Sequence, residues 1–142
     1  MTDHISRAQA DIEAPPERVW QLLTQPGSDP DIMFGAEVVS DWRVGSSIRW
    51  KGEWEGKAFE DKGEVVEIDP PSRLVVTHFS PMSGETDSPD NYHRLSFEFE
   101  EAGAGTHVVL TQGGNATEEA AEHSTANWQQ MLEGLKRAAE RE

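Results

Sequence analysis

Five histidines, at positions 4, 78, 93, 107 and 123, are the side chains best suited to moving protons near neutral pH. Two of them stand out by spacing. His78 follows Leu74 and Val76 at intervals of two, and His93 precedes Leu95, Phe97 and Phe99 in the same way. In a strand that interval gathers residues on one face, so both imidazoles are expected on the covered side of a sheet. A histidine placed there is either a structural residue with its hydrogen bonds satisfied, or a general base or ligand-gripping group. His4 and His107 read as surface residues. Trp50, Trp54, Phe97 and Trp128 supply either an aromatic lining or ordinary core.

Other chemistries have little to stand on. There is no cysteine, which removes disulfides and thiolate metal sites. The chain contains no H-E-x-x-H, G-x-S-x-G, P-loop or glycine-rich dinucleotide fingerprint. Asp87-Ser88-Pro89-Asp90-Asn91 is acidic but lacks calcium-loop spacing. Neither a metal nor a cofactor is expected. The formal charge of −15, from 27 acidic and 12 basic side chains, repels phosphate backbones and anionic membranes, so neither nucleic acid nor membrane is an expected partner. Met1-Thr2-Asp3-His4 lacks a leader pattern, and no apolar run reaches membrane-spanning length. The expectation is a soluble cytoplasmic protein whose 142 residues form one domain, 1–142.

The elements that must position these residues can be read in order. His4–Glu13 alternates as a first strand, and Pro15-Pro16 opens a helix carrying Val19, Trp20, Leu22 and Leu23, closed by Pro26-Gly27. Residues 28–34 read as a short helix or an irregular turn. Val38, Val39 and Trp42 form a short strand; Ser47–Trp54 alternates, with Gly52 between its tryptophans. Strands follow at Phe59–Ile68, Arg73–Phe79, Tyr92–Glu100 and Thr106–Gln112. The segment Ser80–Asn91 is long for a hairpin, and reads as a lid over a pocket mouth or as plain disorder. Gly113-Gly114 breaks the chain before an amphipathic helix over Asn115–Glu142, with Asn115 as N-cap and Glu118 in capping-box position. Its apolar face carries Trp128, Met131, Leu132, Leu135 and Ala139. One or two turns earlier the same face carries Ala121, Ser124 and Thr125, which either allow close packing or stand over a space. Short turns between successive strands imply an antiparallel meander with one wet face. The fold class is α+β: a curved sheet of about seven strands wrapped around a long C-terminal helix.

Several stretches together resemble one superfamily. Ala14-Pro15-Pro16-Glu17-Arg18-Val19-Trp20 with Leu23-Thr24 is similar to the opening of START-like (SRPBCC, Bet v 1-like) domains. Ser40-Asp41-Trp42-Arg43-Val44-Gly45-Ser46 with Ile48, Trp50 and Gly52 resembles the branch of heat-shock protein 90 ATPase activator homologues. Gly63-Glu64-Val65 with Ile68-Asp69-Pro70-Pro71-Ser72-Arg73-Leu74 fits that branch too, as does the closing helix His123–Leu135, where Asn127 replaces the usual glycine. The resemblance covers almost the whole chain and implies a helix-grip fold with an apolar pocket between sheet and helix.

The expected function is binding of a small apolar or lipid-like ligand without catalysis. Its sheet-side lining would be Trp50, Trp54, Phe59, His78, His93, Leu95 and Phe97. The helix would contribute Ala121, Ser124, Thr125, Trp128 and Leu132. Two alternatives stand beside it. One is a co-chaperone-like module with a protein partner, acting as monomer or homodimer. The other is a cyclase- or hydratase-like enzyme using His78 or His93 as base.

Overall fold

Period-two alternation in six successive stretches decides most of the architecture. The computed structural model describes residues 4–24, 36–54, 56–79, 86–88, 91–115 and 117–140, with backbone alone for Trp54 and Asn115. Its elements are β1 (His4–Ile12), α1 (Pro16–Thr24), β2 (Glu37–Ser40), β3 (Ser47–Trp54), β4 (Lys57–Asp69), β5 (Arg73–His78), β6 (His93–Ala102), β7 (Gly105–Asn115) and α2 (Glu118–Glu140). Strands β2 to β7 form a continuous meander and β1 returns to pair with β7, giving the order β1-β7-β6-β5-β4-β3-β2. Every pairing is antiparallel. Among the described residues, no helix is long and apolar enough to cross a membrane.

The inner face is one contiguous apolar surface. Val65, Leu74, Val76, Leu95, Phe97, Val108 and Leu110 line it, and Met131, Leu132 and Leu135 of α2 are fully buried over it. Each such side chain contributes roughly 1.5–3 kcal/mol of gross transfer free energy. Helix α2 lies chiefly on β1, with further contact to β7 and α1. The inward residues of β1 are small, Ser6, Ala8 and Ala10, so the helix comes close. Ser6 Oγ donates to the Ala121 carbonyl at 2.8 Å, which fixes that approach at the first turns of α2.

Side chains of α2 also treat β1 as a strand that needs a neighbour. Gln129 Nε2 donates to the Gln9 carbonyl at 2.9 Å while its Oε1 accepts from Gln9 N–H at 3.3 Å. One turn and more beyond, Lys136 donates to the Asp11 carbonyl and Glu140 accepts from Glu13 N–H. The outward backbone groups of an edge strand are thereby partnered from within the chain. At the end of α2, Arg18 of α1 donates to the Ala139 carbonyl at 2.9 Å and to that of Ala138 at 3.4 Å, as a cationic C-cap should.

Three local readings are corrected. Trp42 is not part of β2: it sits in the following turn at φ 55°, held by Ser40 Oγ accepting from its N–H. A bulky side chain in the left-handed region is uncommon and strained. Asn115 is the last residue of β7, not the helix cap; Gly113-Gly114 lies within the strand, because β1 extends to pair there. The cap is Thr117, whose Oγ1 accepts from Ala120 N–H at 3.0 Å. The expected helix stop at Pro26-Gly27 and the element over 28–34 lie outside the described residues.

The described part of the Ser80–Asn91 segment is fastened to the convex face. Phe79 and Tyr92, on the opposite parity to His78 and His93, stack with ring centroids 5.1 Å apart. Asp87 accepts from the Tyr92 hydroxyl at 2.6 Å and pairs with Lys62. That hydrogen bond, reinforced by burial, raises the Tyr92 phenol above its ordinary value near 10. Tyr92 is the chain's only tyrosine, so ultraviolet titration reads it alone. We expect a midpoint above that of a free tyrosine, falling toward it in Asp87→Ala; the same midpoint in both proteins would dissolve this contact. Because the folded value is the higher one, the contact's stabilisation is complete below pH ~10 and is lost as pH rises through the folded value.

Candidate functional site

Where Asp61 of β4 and His78 of β5 come near Trp50 of β3 and the Trp128 ring of α2, polar residues interrupt the apolar inner face. The register places Asp61 of β4 opposite Trp50 of β3, and His78 of β5 opposite His93 of β6. Gly63 lets β4 and β5 approach closely: a Cβ there would lie 1.7 Å from the Thr77 carbonyl oxygen. That approach brings Asp61 Oδ2 to 2.9 Å from His78 Nε2, with both side chains largely covered, at 17% and 15% exposure.

The imidazole is framed by indoles. Its ring centroid is 5.0 Å from that of Trp50 at 63°, and 6.2 Å from that of Trp128 at 80°, both edge-on geometries. Trp128 projects from α2 and donates its Nε1–H to Gln112 Oε1 of β7. Ser124 and Thr125 precede it by one turn on the same helix. At Ala121, buried and tied to Ser6, close packing holds.

The remaining expected residues divide clearly. Leu95, Phe97 and Leu132 are fully buried core. Phe59 is partly buried, its ring lying over Gly52, where a Cβ would meet it at 2.8 Å. The Trp54 side chain lies outside the described residues; its backbone ends β3 opposite Lys57. His93 is half-buried and donates Nδ1–H to the Gly113 carbonyl at 3.1 Å, a structural tie between β6 and β7. Ser124 and Thr125 are both partly exposed. The structure thus brings together Trp50, His78 and Trp128, and adds Asp61 and Gln112, which were not expected. Both were findable: each continues an inward parity, Asp61 after Phe59 and Gln112 after Val108 and Leu110.

The space is small. A cavity of about 10 Å³ lies among Leu23, Val38, Trp42, Ile48, Trp50, Leu74, Val76 and Phe97, room for no more than one water. An open groove of about 490 Å³ lies at the opposite end of the sheet, along Asp11–Glu13 and Ala102–Thr106, far from the imidazole; it carries no comparable chemistry. Among the described residues, no cluster of three or more His, Asp or Glu side chains is placed to hold a metal ion. Chemically, a carboxylate–imidazole pair can hold a hydrogen-bonding group or pass a proton.

A curved antiparallel sheet closing on one long C-terminal helix, with a few polar groups on its apolar inner face, defines the START-like helix-grip class. The chain belongs to the family described as Activator of Hsp90 ATPase homolog 1-like protein, whose model matches residues 13–140. The solution structure of ChR145 from Cytophaga hutchinsonii is similar at 46% identity and TM-score 0.79, over 94% of this chain and 92% of that one. Protein CV1439 from Chromobacterium violaceum is similar in fold at 20% identity and TM-score 0.74, covering 98% and 99%. The Aha1 dimer from Colwellia psychrerythraea is similar at 23% identity and TM-score 0.70, covering 99% and 97%. No curated protein matches the sequence.

Proposed function

We propose that this protein binds a small, largely apolar molecule between the sheet and α2, beside Trp50, His78 and Trp128. The observation that carries this reading is the Asp61–His78 pair, held between two tryptophans on a face that is otherwise apolar. A half-satisfied pair of this kind is a cost to an apolar core, since Asp61 Oδ1 is buried without a hydrogen-bond partner among the described residues. A ligand site needs apolar walls for affinity and one or two polar groups for orientation. The cavity of about 10 Å³ that meets this corner at Trp50 is too small for such a molecule, so the walls must part for it. Trp42, which lines that cavity in a strained backbone conformation, is one wall that gains by moving.

The neutral fluorophore N-phenyl-1-naphthylamine tests the reading. We expect saturable binding at about 10 μM or tighter, with quenching of tryptophan emission. In Ser124→Trp, a second indole is added one turn before Trp128 on the same helix, and binding should vanish while the circular dichroism spectrum persists. Undiminished binding by that variant, or none by the parent, would remove this site from consideration.

A further inference from the structure

Asp61 is only half satisfied. Its Oδ2 meets His78 Nε2, whereas Oδ1 is buried and has no hydrogen-bond partner among the described residues. A carboxylate oxygen accepts, so His78 Nε2–H is the donor of that bond. The nearby indole N–H of Trp128 is already given to Gln112. Asp61 Oδ1 is therefore an unmet acceptor at this end of the site.

Four ligand classes respond differently to such a surface. A carboxylate-headed molecule, such as a fatty acid, would set its charge against Asp61 within a chain of net charge −15. A molecule without polar hydrogen would leave Oδ1 buried and unpaired. An ammonium would need desolvation among indoles and aliphatic side chains, with one carboxylate to compensate. A neutral hydroxyl satisfies Oδ1 at the smallest cost. Resting on the binding reading above, we infer that the ligand is a hydroxylated, mostly apolar molecule, a phenol or alcohol, whose O–H donates to Asp61 Oδ1. Trp50 and Trp128 flank it, and His78 fixes the carboxylate.

Calorimetric titration with 2-naphthol, 2-methoxynaphthalene and 2-naphthoate separates the neutral and anionic classes, because the three share a ring system and differ in the polar end. The parent protein should bind 2-naphthol at least about ten-fold more tightly than either of the others, about 1.4 kcal/mol. In Asp61→Asn, whose amide both donates and accepts, that preference should shrink to about two-fold or less. Equal binding of naphthol and its methyl ether by the parent overturns the inference, and that comparison needs no variant. So does tighter binding of naphthoate. If N-phenyl-1-naphthylamine binds and none of the three naphthalenes does, the hydroxyl inference alone is lost; if the amine also fails, the binding reading falls first.

Discussion

Gly63→Ala is expected to lower the stability of the fold by at least about 3 kcal/mol, more than any surface substitution in the chain. A Cβ at this position would lie 1.7 Å from the Thr77 carbonyl oxygen and 2.6 Å from its carbon. Both are backbone atoms, so relief requires moving β5 away from β4 rather than turning a rotamer. The same movement would carry His78 away from Asp61 and strip Glu64 N–H of its bond to Thr77 Oγ1. Gly56→Ala provides the comparison: it has a positive φ of 81° but nothing within 4 Å, so its cost is backbone strain alone, roughly 1 kcal/mol. Thermal melts of the two variants decide the matter. A Gly63→Ala midpoint within about 2 °C of the parent would mean that the strands yield freely there.

Trp128→Ala should cost about 3–5 kcal/mol, the range for removing a large buried aromatic. The side chain is 8% exposed, belongs to the core cluster and reaches both Gln112 and His78. Trp128→Phe keeps most of the ring and discards the N–H, so it should cost nearer 1–2 kcal/mol. Urea titration of the pair separates packing from hydrogen bonding. If phenylalanine proves as damaging as alanine, the bond to Gln112 outweighs the ring, and the account of this corner as packed aromatics fails.

The parts of the fold set by local pattern were readable from the sequence. Leu95, Phe97 and Phe99 fall inward on β6 as their alternation requires, and His78 and His93 follow the same parity onto the inner face. The meander follows from short turns between such strands. What the sequence concealed depends on partners far along the chain. Whether Asp61 meets His78 is decided by the β4–β5 register and its irregularity between Val65 and Glu67, which no local window contains. Asn115 looked like a cap because capping chemistry was present, but pairing with β1 extended β7 through it and passed the role to Thr117. Ala121, Ser124 and Thr125 were ambiguous for a related reason. Small residues permit either a void or a close approach, and at Ala121 the approach is set by Ser6, more than a hundred residues earlier in the chain.

The side chains that α2 lends to β1 link two properties that would otherwise be independent. Gln129, Lys136 and Glu140 occupy backbone groups that another protein's strand could use. Lifting the helix would expose that border of the sheet to fibril-like stacking. Helix α2 therefore does a second task beside closing the core, keeping the outer backbone of β1 partnered from within the chain.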